Sequence, residues 1–138
     1  MGEVITLRNG VKMPQVQLGT FRTRGDDVYT SVAAALATGY RAIDTAAVYR
    51  NHANIADTLA AEMPRHQLTR ADIFLTSKLA PRDQGAEACR RAIVKVLEEL
   101  KTDYLDLFLI HWPGVQKLAV DDPQNAILRY LLFMCSYI

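Results

Sequence analysis

Short apolar runs with strand character alternate with amphipathic helical segments along most of this sequence. Three such runs, 40–43, 73–77 and 104–110, lead to the polar residues Asp44, Lys78 and His111. These polar residues lie 34 and 33 positions apart. One strand–helix–strand unit takes about 30 residues or more. The alternation therefore predicts an α/β fold in which helices cover a parallel sheet.

The residues before the first unit predict a hairpin. Two short stretches with strand character, marked by Val4 and Thr6 and by Val11 and Met13, flank Asn9-Gly10. That dipeptide favours a type I′ turn, in which both central residues have a positive φ. A third extended stretch, 16–18, ends at Gly19 and Thr20.

Three segments show the spacing of apolar residues that is typical of helices, at 26–38, 51–63 and 83–101. We expect their inner faces to be apolar. The predicted inner residues are Val28, Val32, Ala35 and Leu36; then Ile55, Leu59 and Met63; and last Ala86, Cys89, Ile93, Val96, Leu97 and Leu100.

Length and charge limit the classes of protein to which the chain can belong. With 138 residues it fits one domain, and 16 basic against 15 acidic residues give a formal charge of +1. Nucleic acid and anionic membranes both require a clustered positive field, so neither is expected as a partner. The first residues lack the apolar stretch of a secretion signal, and no apolar run reaches the about 20 residues of a membrane span. We expect a cytoplasmic protein.

The predicted strands deliver polar side chains to one edge of the sheet, where α/β proteins bind ligands. Thr20, Asp44, Lys78 and His111 end successive strands, and Tyr49 follows five residues after Asp44. A phenol is a poor acid near pH 7, but a nearby ammonium favours the phenolate. A carboxylate can hold that ammonium in place, and an imidazole can orient a substrate oxygen. The set predicts acid catalysis on a carbonyl, with the hydride supplied by a nicotinamide cofactor.

Each of these residues also has a structural interpretation. An aspartate after a strand often caps a helix, and an isolated lysine is usually a solvated charge. His52 and His66 are expected on a helix surface or in a loop. A metal site formed by Asp44, His52 and His111 is conceivable, although the spacing is not typical of a ligand set, and we predict no metal.

Four stretches of the sequence resemble the aldo-keto reductase family. They are NGVKMPQVQLGTF near the start, GYRAIDTAAVYRN at 39–51, DIFLTSKL at 72–79 and DYLDLFLIHWPG at 103–114. The resemblance implies a (β/α)₈ TIM barrel closed at its base by the hairpin. It also implies NADPH-dependent reduction of aldehydes or ketones to alcohols.

The resemblance also implies roles for individual residues. Tyr49 is expected to donate the proton, with Asp44 and Lys78 tuning it and His111 binding the carbonyl oxygen. Thr20 and Asp44 are expected to contact the cofactor. The substrate pocket is expected to include Tyr49 and His111, lined further by Phe21 and Trp112.

The sequence departs from the family pattern in two places. His52 and Ala56 stand where a glutamate and a glycine are usual, which affects the start of the second helix. A complete barrel takes about 250 residues, so we expect a partial barrel: the hairpin, about four strands and three helices. We divide the chain into residues 1–125, the N-terminal half of the barrel, and 126–138, an atypical hydrophobic tail.

This division leaves an alternative function open. The chain could be a catalytically inactive, truncated half-barrel, such as a splice variant or fragment, that acts through protein contacts. Open sheet edges invite association, so self-association is the protein partnership that we expect. The other expected partner is a small-molecule carbonyl substrate.

Overall fold

The computed structural model describes residues 3–112 and residue 114. Its first elements are the short strands β1 (Val4–Thr6) and β2 (Lys12–Pro14), which pair antiparallel as a hairpin. The hairpin prediction is confirmed in outline, but the turn is of another type. Gly10 has a φ of 85°, whereas Asn9 is not among the residues with positive φ. Hydrogen bonds from Leu7 N to Val11 O and from Gly10 N to Leu7 O instead close a loop over 8–10.

Four parallel strands form the main sheet, and they follow one another in chain order. They are β3 (Leu18–Gly19), β4 (Ala42–Asp44), β5 (Phe74–Leu79) and β6 (Leu107–Ile110). Asp44 of β4 pairs with Thr76 of β5, and Thr76 precedes Lys78 by two positions. Side chains two apart on a strand share a face of the sheet, so Asp44 and Lys78 face the same side. The predicted parallel α/β architecture is confirmed.

Helices cover the other side of the sheet. They are α1 (Asp26–Ala37), α2 (His52–Glu62) and α3 (Ala86–Leu100). Their apolar faces close over the sheet because each carries aliphatic residues one helical turn apart. The shared core contains Val28, Val32, Leu36, Ile43, Ile55, Leu59, Ile73, Leu75, Val96 and Leu100.

Most of the predicted inward-facing helical residues are buried, and Ala86 is the clear exception. Ala86 is exposed because α3 starts only there, after Gly85 adopts a φ of 108°. A separate turn of 3₁₀ helix, Pro81–Asp83, precedes that glycine. The sequence pattern had placed both segments within one longer helix.

Several strand boundaries differ from the predicted ones: β3 and β4 begin two residues later than predicted, and the bounds of β5 and β6 differ as well. β5 continues to Leu79, so Lys78 is its penultimate residue. β6 begins only at Leu107, because the preceding residues bind Arg70. The guanidinium of Arg70 donates to Tyr104 O and to the Asp106 carboxylate, each at 2.9 Å. That carboxylate also accepts a hydrogen bond from Leu75 N, which joins the amino ends of β5 and β6.

The outer strands are less buried than the sequence pattern predicts. β5 is almost completely buried, whereas β6 is half-buried and Leu109 is 41% exposed. Within residues 3–112, β3 and β6 each pair with a single neighbour. No helix in this part of the chain is long and apolar enough to cross a membrane. The predicted tail, 126–138, lies outside the described residues.

Candidate active site

Lys78 is the centre of the polar cluster at the carboxyl end of the sheet. Its Nζ lies 2.5 Å from Asp44 Oδ1 and 2.9 Å from Thr45 O, and it contacts the Tyr49 hydroxyl at 3.4 Å. An ammonium has three protons, so these three acceptors use all of its donors. The Lys78 side chain is only 13% exposed, so the ammonium is largely shielded from solvent. The ammonium is therefore held in one position beside the phenol.

Thr20 supports Asp44 from the neighbouring strand. Both the backbone N–H and the hydroxyl of Thr20 donate to Asp44 O at 3.0 Å. Thr20 is 1% exposed, whereas the Asp44 side chain is 31% exposed. Thr20 thus fixes the end of β4 from within the protein. Its predicted contact with a cofactor stays a prediction.

Tyr49 ends a turn of 3₁₀ helix, Ala47–Tyr49, directly above β4. Its ring lies 5.1 Å from that of Phe21 and 5.5 Å from that of His111, measured between ring centres. The contact with His111 is edge-to-face, an arrangement that aromatic rings favour. The phenol is thus held by aromatic contacts on its ring and by Lys78 at its hydroxyl.

His111 is neutral near pH 7 in this environment. Burial lowers its pKa, and the Lys78 ammonium lowers it further, while the Asp44 carboxylate opposes both. Among the described residues, its Nδ1 is the one buried side-chain nitrogen or oxygen without a hydrogen-bond partner. We assign the ring proton to Nε2, because a buried N–H without a partner is rarer in proteins than an unpaired acceptor. Nε2 can then donate to the oxygen of a ligand.

Asn51 is a buried residue of the site that our sequence analysis missed. Its Nδ2 donates to Thr20 O at 2.9 Å and to Thr23 O at 3.2 Å. Its Oδ1 accepts from the Thr45 hydroxyl at 2.9 Å. Asn51 therefore joins the loop after β3 to the loop after β4. The sequence pattern had counted it only as the first residue of the helix predicted over 51–63.

The prediction for His52 is wrong, because this residue is buried rather than on the surface. His52 is 1% exposed and lies between α2, α3 and the sheet. Its Nδ1 lies 2.8 Å from Glu99 Oε2, and its Nε2 lies 3.1 Å from the Ser77 hydroxyl. Ser77 is fully buried, so this serine–histidine–glutamate chain has a structural role. His66 lies on a 3₁₀ turn with 29% of its side chain exposed.

Burial of His52 predicts a stability that falls as the pH falls. Burial lowers the pKa of His52, although the hydrogen bond and charge of Glu99 oppose the shift. The unfolded chain then binds the proton first, so acidification below about pH 6.5 favours unfolding. His111 acts in the same direction. One such group changes the free energy of unfolding by at most about 1.4 kcal/mol per pH unit.

Urea unfolding between about pH 8 and pH 5 measures this dependence. We expect His52→Gln to flatten the pH profile, because the amide does not titrate. Ser77→Ala is the control: it removes a partner of the imidazole but keeps the imidazole, so the slope should persist. A His52→Gln profile as steep as that of the unchanged protein would contradict the prediction.

The structure brings four of the predicted residues together: Asp44, Tyr49, Lys78 and His111. Phe21 and Trp112 lie at the rim, 60% and 56% exposed. Phe21 packs against the Tyr49 ring, and Trp112 follows His111 in the chain. The residues from 3 to 112 contain no group of His, Cys, Asp and Glu that could hold a metal ion. The alternative metal site with His52 is not formed, since the His52 ring nitrogens face Glu99 and Ser77.

Comparisons with known proteins identify the family of the chain. The model of the Aldo/keto reductase family matches residues 15–131. The chain belongs to the aldo/keto reductase family. It is 43% identical to a glyoxal reductase of Bacillus subtilis over 116 residues, which are 83% of this chain and 41% of that protein. It is 40% identical to a morphine 6-dehydrogenase of Pseudomonas putida over 110 residues, 80% of this chain and 36% of that protein.

Two solved structures of the family match the fold of this chain. An aldose reductase structure from Schistosoma japonicum matches with a TM-score of 0.81 and 33% identity, covering 97% of this chain and 49% of that one. An aldo/keto reductase from Brucella melitensis matches with a TM-score of 0.75 and 39% identity, covering 82% and 42%. These neighbours are (β/α)₈ barrels. The chain thus spans less than half the length of the aldo-keto reductases that it matches, and its fold is part of such a barrel.

Proposed function

We propose that this protein takes part in the NADPH-dependent reduction of an aldehyde or ketone to an alcohol, with Tyr49 as the proton donor. The observation that carries the proposal is the Lys78 ammonium, which contacts the Tyr49 hydroxyl while Asp44 and Thr45 fix its position. The similarity to a glyoxal reductase and to a morphine 6-dehydrogenase supports the reaction class.

The proton transfer uses residues that the chain supplies. As the Tyr49 hydroxyl gives its proton to a carbonyl oxygen, negative charge develops on the phenol. The Lys78 Nζ lies 3.4 Å from the Tyr49 hydroxyl oxygen. In a partly buried site, its charge stabilises the developing phenolate by roughly a few kcal/mol. Because Asp44 and Thr45 already hold the ammonium, little rearrangement is needed when the charge appears. His111, neutral with its proton on Nε2, donates to the same carbonyl oxygen and orients it.

The site has groups that suit a nicotinamide nucleotide. The Asp44 carboxylate is about one third exposed, and only its Oδ1 is engaged by Lys78 in the described residues. Oδ2 can accept a hydrogen bond from a ribose hydroxyl. NADPH, when bound, supplies the hydride that no side chain can donate. The proposal includes a preference of the protein for NADPH over NADH.

Carbonyl-dependent oxidation of NADPH tests the proposal. We expect absorbance of NADPH to decline when benzaldehyde is added to the protein, and to stay constant without the aldehyde. NADH in a parallel reaction tests the cofactor preference, with slower oxidation expected. If the aldehyde causes no oxidation of either nucleotide, the proposal is wrong.

A second candidate function is association through the edge of the sheet. It is favoured by β6, whose residues are half-buried and whose Leu109 is 41% exposed. Exposed strand edges pair readily with other chains. Sedimentation of the same samples distinguishes the two functions: a mass that rises with concentration, with no NADPH oxidation, supports association alone.

A further inference from the structure

A side chain from the loop after β5 holds the loop after β6. The Gln84 Nε2 donates to Trp112 O at 2.9 Å and to Gly114 O at 3.1 Å. Both partners are carbonyl oxygens, so the amide nitrogen must face them, and both of its protons are used. Among the described residues, these are the hydrogen bonds that the backbones of Trp112 and Gly114 make. Gln84 therefore fixes the chain directly after His111.

The backbone of Gln84 is itself fixed on both sides. It follows the 3₁₀ turn Pro81–Asp83, in which Asp83 N donates to Ala80 O at 2.9 Å. Ala80 is buried at the end of β5. On the other side only Gly85 separates Gln84 from the first residue of α3. A turn and a helix thus limit the freedom of the residue, and its amide is a rigid support.

The backbone of His111 does not depend on this support. His111 N donates to Leu79 O at 3.2 Å, directly after the paired residues of β5 and β6. The hydrogen bonds of the sheet therefore end at His111, and Trp112 begins the segment that Gln84 holds. Loss of the Gln84 amide should leave the position of His111 unchanged and release Trp112.

Trp112 is a large aromatic residue that is left largely uncovered at the rim of the site. More than half of it is exposed, as is Phe21, which packs against Tyr49. An exposed indole offers apolar and aromatic area to a ligand. It binds more tightly when the chain that carries it is already ordered, because ordering during binding costs affinity. The two hydrogen bonds from Gln84 supply that order in advance.

We propose that Gln84 is a positioning residue that holds Trp112 in place for the body of the carbonyl substrate. The preferred substrates are then aldehydes or ketones with an aromatic ring, rather than those with an open aliphatic chain. This inference rests on the proposed function and specifies its substrate. Gln84 touches neither the substrate nor the reacting atoms, and it acts through Trp112.

The time-resolved fluorescence anisotropy of Trp112, the single tryptophan of the chain, tests the positioning without any ligand. In Gln84→Leu we expect a larger fast decay of the anisotropy, because leucine has no donor and the indole gains local motion. Gln84→Glu keeps the shape of the side chain but also lacks the donors, so it should behave likewise. Gln15→Leu, an exposed position directly after β2, is the matched control and should keep the anisotropy of the unchanged protein.

Titration calorimetry at saturating NADPH tests the substrate preference, with product alcohols as the probes. NADPH cannot reduce an alcohol, so binding is measured without a reaction. The probes are 2-naphthalenemethanol, which has a flat aromatic body, and 1-hexanol, which has an open chain. We expect Gln84→Leu to bind the aromatic alcohol about tenfold more weakly, the order of one aromatic contact. Its affinity for 1-hexanol should change by less than about twofold, because the indole is not selective for an open chain.

A double-mutant cycle shows whether Gln84 acts through Trp112. Trp112→Ala alone should weaken the binding of 2-naphthalenemethanol by at least the same factor. If the amide only positions the indole, adding Gln84→Leu to Trp112→Ala should cause a further loss of less than about twofold. A merely structural role would weaken the binding of both alcohols and would add its full cost to that of Trp112→Ala.

Four results would overturn the inference. The first is an anisotropy decay of Trp112 that stays the same in both Gln84 variants. The second is an unchanged protein that binds neither alcohol or binds both equally. The third is a Gln84→Leu variant in which both alcohols bind more weakly by the same factor, or neither does. The fourth is a loss that adds in full to that of Trp112→Ala. Each leaves the reductase proposal to its own assay, because these measurements contain no carbonyl compound.

Discussion

Tyr49→Phe is expected to lower kcat for carbonyl reduction by a factor of about 10²–10⁴, the usual contribution of a positioned general acid. The substitution removes the hydroxyl that Lys78 contacts and leaves no group with a transferable proton at that point. Phenylalanine keeps the ring that packs against Phe21 and His111. The fold and the aromatic surface should therefore remain, and the loss should lie in the chemical step.

Three measurements separate this loss from a folding defect. Single-turnover reduction of a benzaldehyde by bound NADPH gives the rate of the chemical step. Titration with NADPH should give a Kd within about twofold of the unchanged protein, because only a transition-state interaction has been removed. The thermal midpoint should change little, since the Lys78 contact with Tyr49 is the longest of its three.

Tyr40→Phe is the matched control. It removes a phenolic hydroxyl from an exposed ring before β4, 39% exposed and away from the carboxyl end of the sheet. We expect its kcat to equal that of the unchanged protein. If Tyr49→Phe reduces the carbonyl as fast as Tyr40→Phe does, the assignment of the proton donor is wrong and His111 becomes the next candidate.

The sequence was sufficient to predict which residues share the edge of the sheet. Parallel strands bring their carboxyl ends together, so Asp44, Lys78 and His111 could be placed side by side from their spacing alone. The one-residue error at Lys78 did not matter, because its side chain still lies on the face of Asp44. The alternation of strands and helices produces a regular spacing of apolar residues, and such spacing can be recognised in a single sequence.

Residues whose partners lie far along the chain could not be predicted. His52 is buried because Ser77 and Glu99, 25 and 47 residues away, supply both of its hydrogen-bond partners. Its own neighbours, Asn51 and Ala53, give no sign of this. A polar residue at a helix start is usually exposed, and the cost of burying it is offset only by contacts that the tertiary fold creates.

Asn51→Leu is expected to destabilise the protein by about 3 kcal/mol or more, among the larger effects of a single substitution. Leucine has nearly the same size but cannot bind the carbonyls of Thr20 and Thr23 or accept from the Thr45 hydroxyl. Thr45 is fully buried, so its hydroxyl loses its acceptor away from water. Each buried polar group without a partner costs on the order of 1–3 kcal/mol.

Urea unfolding of Asn51→Leu and of Asn54→Leu measures this cost. Asn54 is exposed on the first turn of α2, and its side chain makes no hydrogen bond among the described residues, so its substitution should change stability by less than about 0.5 kcal/mol. Asn51→Asp should be at least as harmful as Asn51→Leu, because it turns a negative charge toward two carbonyl oxygens. Equal stability of the two leucine variants would show that Asn51 does not join the loops. The support for the loops after β3 and β4 and, through Thr45, for the Lys78 ammonium would then have to come from other residues.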